Sequence, residues 1–201
     1  MPPSEHRYFA INKPYGMLSQ FVGGHPGFPM LGGLDFSFPE GTHAIGRLDY
    51  TSEGLLLLTT NKAITKILFN PAAAHPRSYL VNVYKKVSDE TIERLATGVS
   101  IRIRGGVDYT TAPIIVSRHP RPAELPRGAH ELREDIPQDW LLMTLAEGKH
   151  RQVRKMLQAV HHPCHRLIRL SIGGMVLGDL PSGAVREMSE DVFFEELGLG
   201  A

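Results

Sequence analysis

The hydrophobic pattern of the chain is most regular around a polar turn that precedes four consecutive leucines. Leu55 to Leu58 form an apolar run of strand length, which is typical of a strand buried on both faces. A second apolar segment, 43–46, leads into the turn. Thr51, Ser52 and Gly54 can close the turn through side-chain to backbone hydrogen bonds and a permissive glycine, which fixes where Asp49 points. Asp49 is therefore a candidate nucleophile, although most aspartates in such places only hydrogen-bond their own turn.

Apolar patterns elsewhere predict further short strands and a few helices. Residues 78–83 alternate as a half-buried strand does, and glycine and proline bound most of the other segments. Strands and helices interleave without a repeating strand-helix-strand unit, which predicts an α+β fold around a mixed sheet. The predicted strands are 8–12, 17–22, 78–83, 100–104, 109–117, 140–145 and 166–172, the helices are 63–69, 89–97 and 149–160, and the surface loops are 23–41 and 119–139.

The predicted helix 149–160 has two chemically different faces. Four residues at i, i+3, i+4 and i+7 form an apolar stripe that predicts packing on the core: Val153, Met156, Leu157 and Val160. The opposite face is polar and basic and has no acidic residue: Arg151, Arg154, Lys155 and Gln158. Such a face favours contact with RNA phosphates over simple solvation.

Charge is distributed unevenly, although the chain as a whole has a net charge of only +1. Six basic residues oppose one acidic residue between Glu147 and Arg169, whereas six acidic residues oppose one basic residue from Asp179 onward. A basic segment of this kind can bind phosphates while an acidic tail keeps the whole chain near neutrality.

Length and composition limit the class of protein. The chain has 201 residues, of which 42% are hydrophobic, and this predicts one catalytic domain, 1–201, or two small subdomains that share a sheet. The single cysteine, Cys164, excludes an internal disulfide. No segment resembles a signal peptide or a membrane span, so we expect a cytoplasmic protein without a membrane partner.

Five short segments together form an ordered set of motifs. They are Ile-Asn-Lys-Pro-Tyr-Gly (11–16), Gly-Arg-Leu-Asp-Tyr-Thr-Ser-Glu-Gly-Leu-Leu-Leu-Leu-Thr-Thr-Asn (46–61), Arg-Ser-Tyr-Leu-Val (77–81), Glu-Gly-Lys-His-Arg-Gln-Val-Arg-Lys-Met-Leu (147–157) and Arg-Leu-Ile-Arg-Leu-Ser-Ile-Gly (166–173). With these motifs the chain resembles the pseudouridine synthases, in particular the branch that acts on ribosomal RNA. The resemblance implies an α+β pseudouridine synthase fold, with a mixed, mostly antiparallel sheet flanked by helices and a central RNA-binding cleft.

The reaction that this resemblance implies is the isomerisation of uridine to pseudouridine. The N1–C1′ bond breaks, the uracil rotates, C5 joins C1′ and the C5 proton is removed. Because nothing enters or leaves overall, no cofactor is expected. An unprotonated Asp49 would add covalently to C1′ or stabilise the positive charge that develops on the sugar, and both routes remain open.

Three further residues match positions of the family's catalytic pocket. Arg154 matches an arginine that pairs with the catalytic aspartate, where it would hold Asp49 ionised. Tyr79 matches a tyrosine that stacks on the base and is a candidate for removal of the C5 proton. Leu167 matches an apolar position of the same pocket. An ordinary core position remains the alternative for both Tyr79 and Leu167.

Several basic residues are expected to bind RNA. Because C1′ is inaccessible in a stacked helix, the target nucleotide must be flipped out. Arg47 matches an arginine that occupies the space left by the base, with a phosphate contact as the alternative. Lys13 and Lys149 are predicted to contact backbone phosphates, and Arg151 and Lys155 to do so from the basic helix.

A histidine-rich segment near Cys164 raises the question of zinc. Four potential ligands lie within five residues, which cannot easily converge on one tetrahedral ion, and no second cluster completes a familiar spacing. We therefore predict no metal. The potential ligands are His161, His162, Cys164 and His165.

The predicted partner is ribosomal RNA of the large subunit, either free or in an assembling particle, and the protein is predicted to be a monomer. The first motif begins within the first dozen residues, so the small N-terminal RNA-binding domain of many relatives is not expected. A noncatalytic RNA-binding or ribosome-assembly protein on the same fold is the alternative function. An N-glycosidase that uses Asp49 against C1′ is a third, and it would release free uracil.

Overall fold

The computed structural model describes residues 6–23, 27–68, 75–128 and 130–199, and these contain eleven strands and four α-helices. The α+β class predicted from the sequence is confirmed. In chain order the elements are β1 (Tyr8–Lys13), β2 (His43–Ala44), β3 (Glu53–Thr59), α1 (Ile64–Leu68), β4 (Arg77–Tyr84), α2 (Asp89–Thr97), β5 (Ser100–Arg102), β6 (Asp108–Thr110), β7 (Ile115–Arg118), β8 (Gln138–Leu145), α3 (Gln152–Ala159), β9 (Cys164–Ile172), β10 (Met175–Val176), β11 (Val185–Met188) and α4 (Glu190–Leu197).

The chain folds as two compact units, and the first unit comprises the residues up to His75 and those from Arg169 onward. Its strand β1 pairs antiparallel with β3 on one side and with β11 on the other. Leu55 to Leu58 of β3 have no exposed surface, as their apolar run predicts. One face of β3 packs with Phe193 of α4 and the other with Leu31, so this strand is buried on both faces.

The predicted surface loop 23–41 is in part a core segment of the first unit. It contains a short 3₁₀ turn at Leu31–Gly33, and Leu31 has no exposed surface. The ring centroids of Phe36 and Phe38 lie 5.6 and 5.5 Å from that of Phe9. Because these rings cover β1, the loop takes the place of a helix on this face of the sheet; the stretch 24–26 lies outside the described residues.

The strand predicted at 17–22 is wrong. Leu18 forms a single bridge with Met30, its amide donating to the carbonyl of Pro29 over 2.9 Å. The amide of Leu31 donates to the carbonyl of Gln20 over 3.0 Å. The backbone of this segment therefore pairs with the glycine-rich loop, and no ladder forms.

The second unit comprises Pro76–Ile168. Its strand β8 pairs antiparallel with β4 and β7, and β5 and β6 form a separate two-stranded sheet. The apolar stripe of the basic helix packs into the core of this unit, as its spacing predicts. The half-buried pattern predicted for 78–83 is wrong in its last four residues, since Leu80 to Val83 are all buried and even Asn82 has no exposed surface.

Helix α2 follows its predicted boundaries. The Ser88 hydroxyl accepts a hydrogen bond from the amide of Thr91, which caps the first turn. Gly98 ends the helix at a φ of +109°, and a Cβ there would lie 2.3 Å from the carbonyl oxygen of Thr111. The predicted strand 109–117 divides into β6 and β7, and Pro113, which has no amide hydrogen for a strand ladder, lies between them.

Three elements of the C-terminal region were not predicted. These are β10, β11 and α4, which begins after the cap Ser189. The acidic residues of the tail lie largely on this helix, while Phe193 is buried. None of the helices within the described ranges is long and apolar enough to cross a membrane.

Candidate active site

Asp49 lies in the turn between β2 and β3, and both of its neighbours are tied to another loop. The Ser19 hydroxyl donates to the carbonyl of Leu48 over 2.8 Å and accepts from its amide over 3.1 Å. The amide of Gly16 donates to the carbonyl of Tyr50 over 2.9 Å. The Asp49 carbonyl accepts from the amide of Ser52, so a hydrogen bond between backbone groups closes the turn, where a side-chain hydrogen bond was predicted. Asp49 is therefore held in place on both sides while it remains partly exposed.

Lys13 stabilises the loop to which the Asp49 turn is tied. Its ammonium group donates to the carbonyls of Pro14 over 2.8 Å and Met17 over 2.7 Å, and the residue has no exposed surface. Burial lowers the pKa of Lys13 to about 8, against the opposing effect of the negative charges of Glu53 and Asp49. The predicted phosphate contact of Lys13 is wrong, because its charge lies inside the first unit and is used by backbone carbonyls.

Arg169 lies against the start of β3, close to the same turn. Its Nε donates to the carbonyl of Leu55 over 2.7 Å, and the side chain is buried. Gly54 has a φ of +98°, and a Cβ there would lie 2.3 Å from the carbonyl oxygen of Arg169. Only glycine fits this approach. Sequence reasoning counted Arg169 as part of a basic segment and missed this role, as it missed that of Ser19.

Arg47 is exposed two residues before Asp49 in the first unit. An exposed guanidinium at this position is available to a phosphate or to a vacated base position, and both alternatives stay open. The role of Arg47 stays a prediction.

Tyr79 lies on β4 of the second unit, opposite Met143 of β8. It is partly buried and packs against the core of this unit, while part of the residue stays exposed. Leu167 is buried in the same core. The pocket roles of both residues stay predictions.

Arg154 lies on α3 of the second unit, where its Nη1 donates to the carbonyl of Cys164 over 3.1 Å. Burial raises the pKa of the Cys164 thiol to about 11, although the charges of Arg154 and Arg151 oppose this rise. Burial and the charge of Arg154 both lower the pKa of His165. The thiol is therefore protonated at neutral pH. The pairing of Arg154 with Asp49 stays a prediction.

The basic helix begins later than predicted. Helix α3 starts at Gln152, and Arg151 precedes it with a left-handed φ of 55°. Arg151 therefore belongs to the approach to the helix and not to its face. Lys149 and Arg151 are exposed and Lys155 is partly exposed, so all three remain predicted phosphate contacts.

Glu147 fixes the loop that leads into α3. Its carboxylate accepts hydrogen bonds from the Tyr109 hydroxyl, the amide of Ala112 and the Gln152 side chain. Burial acts to raise the pKa of Glu147, but these hydrogen bonds and the charge of Lys149 lower it on balance. The Lys149 ammonium lies 4.8 Å from the centroid of the Tyr109 ring. The single acidic residue of the basic segment is therefore structural.

The described residues contain no cluster of three or more His, Cys, Asp or Glu side chains that could hold a metal ion. The catalytic residues predicted from the sequence belong to different units, with Asp49 in the first and Tyr79 and Arg154 in the second.

Comparison with known proteins places these residues in a family context. A family model described as RNA pseudouridylate synthase matches residues 7–159, a range that includes Asp49, Tyr79 and Arg154. The Ribosomal large subunit pseudouridine synthase E of Vibrio parahaemolyticus is 36% identical over 89% of this chain and 72% of its own length. The protein of that name from Xanthomonas axonopodis pv. citri is 38% identical over 81% of this chain and 84% of its own. A solved structure described as a pseudouridylate synthase has a TM-score of 0.74 at 26% identity and covers 96% of this chain and 74% of its own.

Proposed function

We propose that this chain, which belongs to the RNA pseudouridylate synthase family, isomerises one uridine of large-subunit ribosomal RNA to pseudouridine. In this proposal Asp49 acts at C1′. The family and the names of the relatives support the reaction and the class of RNA. The observation that carries the role of Asp49 is its turn, in which Leu48 and Tyr50 are both tied to a neighbouring loop while Asp49 stays partly exposed.

The chemistry needs a fixed carboxylate that can reach an extruded nucleotide. Asp49 adds to C1′ or stabilises its positive charge as the N1–C1′ bond breaks, and the detached uracil turns in place. C5 then bonds to C1′, the C5 proton leaves to a base and N1 takes up a proton. In this proposal Arg154 holds Asp49 ionised, while Tyr79 stacks on the uracil and is the candidate base.

Exposed cations hold the RNA in the same proposal. Arg47 takes the place of the extruded base or contacts a phosphate next to Asp49. Lys149, Arg151 and Lys155 contact phosphates from the segment that opens α3. We further propose that the protein acts as a monomer in the cytoplasm, where ribosomal RNA is found.

The decisive experiment is pseudouridine mapping across ribosomal RNA in a deletion strain. Complementation with Asp49→Asn should leave one uridine unmodified, because an amide cannot supply the negative charge at C1′, and the rate should fall at least about a thousandfold. Asp35→Asn replaces another, exposed aspartate of the first unit and is the matched control, which should restore modification. Full modification with Asp49→Asn would remove Asp49 from the mechanism.

Measuring both possible products distinguishes the proposed isomerase from the two alternative functions. Purified protein is incubated with ribosomal RNA, and both carbodiimide-reactive pseudouridine and free uracil are measured. An isomerase yields pseudouridine without free base, and an N-glycosidase yields free uracil. A noncatalytic RNA-binding protein yields neither, although it binds the RNA.

A further inference from the structure

Three aromatic residues lie on segments that meet at the Asp49 turn in the first unit. Tyr50 follows Asp49 directly, and its ring centroid lies 5.0 Å from that of Phe28 in an edge-to-face arrangement of 83°. Tyr15 belongs to the turn whose Gly16 amide donates to the Tyr50 carbonyl. Tyr15 and Phe28 are 40% and 41% exposed, and Tyr50 is partly exposed. We name Tyr15, Phe28 and Tyr50 the aromatic platform.

The backbone holds the platform in a fixed arrangement. A Cβ on Gly16 would lie 3.5 Å from the hydroxyl oxygen of Tyr50, so this ring rests against the glycine. The amide of Leu18 donates to the carbonyl of Pro29, the residue after Phe28, over 2.9 Å. Three segments of the chain thus meet beside Asp49, and the rings need little ordering before they bind a ligand.

The platform differs from the other aromatic residues of the same loops. Phe21, Phe36 and Phe38 pack against the core cluster that contains Phe9. Among the described residues, no member of the platform belongs to one of the hydrophobic core clusters. The inner rings are therefore core residues, whereas the rings of the platform present part of their surface to solvent beside the Asp49 turn.

We propose that the aromatic platform stacks on unpaired bases of the RNA that flank the uridine bound at Asp49. Aromatic rings stack on any base, so they suit single-stranded or bulged RNA, and the exposed Arg47 supplies a cation for the adjoining phosphate. Tyr50 follows Asp49 directly, Phe28 contacts the Tyr50 ring, and Tyr15 precedes the glycine that is hydrogen-bonded to Tyr50. An RNA whose uridine is bound at Asp49 is therefore the occupant that this surface fits. The inference rests on the proposed function, because it takes RNA as the substrate.

Binding to labelled RNA tests the platform without requiring catalysis. The probes are a single-stranded RNA of about 12 nucleotides and an abasic ribose-phosphate chain of the same length, measured by fluorescence anisotropy. Phe28→Leu should weaken binding of the base-containing RNA on the order of tenfold and leave binding of the abasic chain unchanged. Phe28→Trp should restore affinity, because it keeps an aromatic face.

Ile67→Ala is the matched control. Ile67 is as exposed as Phe28, at 41%, but it lies on α1, beyond the end of β3 opposite to Asp49. Seven residues of strand separate the two ends by roughly 20 Å. This variant should bind both probes like the wild type.

Two kinds of result would overturn the platform. One is equal loss of affinity with Phe28→Leu and Phe28→Trp, or equal loss for both probes, since either points to folding or charge. The other is an unchanged affinity of Phe28→Leu for the base-containing RNA, or no binding of that RNA by the wild type. A wild-type protein that binds RNA through Phe28 yet forms no pseudouridine would contradict the proposed function and leave the platform standing.

Discussion

The loop beside Asp49 and the segment 119–137 are each organised by a buried basic side chain, and the two solutions differ. In the first unit, Lys13 is surrounded by backbone carbonyls as its hydrogen-bond partners. In the second unit, Arg166 pairs with Glu131 over 2.8 Å, and their side chains are only 5% and 2% exposed. The part of the predicted surface excursion 119–139 that precedes β8 is thus held to β9 by an ion pair.

The Glu131 carboxylate is the centre of the second arrangement. It also accepts from Arg121 over 2.6 Å and from the amide of Gly128 over 3.2 Å. Burial acts to raise the pKa of Glu131, but the hydrogen bonds from Arg121, Gly128 and Arg166 lower it on balance. Lysine can lose its proton when it is buried, whereas arginine cannot. Mild alkali therefore removes the charge of Lys13 in the folded chain, whereas Arg166 keeps its charge.

The largest expected effect on stability follows from breaking the ion pair between Arg166 and Glu131 in the second unit. Glu131→Ala leaves the buried Arg166 without its carboxylate and should lower the free energy of unfolding by about 3–5 kcal/mol. Urea unfolding followed by the fluorescence of Trp140 measures it, because this is the single tryptophan and it lies in the second unit.

Glu134→Ala is the control for this prediction. Glu134 pairs with Arg127 at the surface of the same segment, and its side chain is 86% exposed. Removal of an exposed ion pair should change stability by less than about 1 kcal/mol. If both variants behaved alike, Glu131 would not organise the segment 119–137.

The contrast between Lys13 and Arg166 also shows what sequence can predict about this protein. Continuous apolar runs and helix caps are local signals, and they predicted β3 and α2 well because local packing and hydrogen bonds decide both. Motif order predicted the family. Whether a basic residue lies inside or outside depends on partners distant in sequence, such as Glu131 for Arg166, and no periodicity encodes them.

The residues that support the candidate site were harder to predict than the candidate itself. Turn chemistry and motifs agree on Asp49 as the candidate nucleophile, and this role stays a prediction. Ser19 was missed because it lies 29 positions before Leu48, and a serine in a predicted strand carries no signal of a tertiary contact. The late start of α3 was missed because the left-handed Arg151 departs from what its residue type favours.

An intermediate effect is expected where the Asp49 turn is tied to its neighbouring loop. Ser19→Ala leaves the buried amide and carbonyl of Leu48 without their shared partner, which should cost about 1–3 kcal/mol of stability. Because Asp49 then loses its fixed position, kcat should fall more than RNA affinity. Steady-state kinetics and RNA binding measure the two quantities.

Ser37→Ala, at an exposed position of the same unit, is the matched control and should leave kcat unchanged. Equal losses of kcat and of RNA affinity in Ser19→Ala would indicate general unfolding of the loop and would remove the positioning role of Ser19.

The smallest expected effect is a pH dependence of the free energy of unfolding, which Lys13 should produce and Arg166 should not. The pKa of Lys13 is about 8 in the folded chain and 10.5 by its ordinary value, so between these pH values the unfolded chain binds more protons. The free energy of unfolding must therefore rise with pH, by about 1 kcal/mol between pH 7 and pH 9.

Lys13→Met should lack this increment and Lys66→Met, at an exposed lysine of α1, should retain it. Urea unfolding of all three proteins at both pH values measures the difference, and the same increment in Lys13→Met would mean that Lys13 is not the group that titrates.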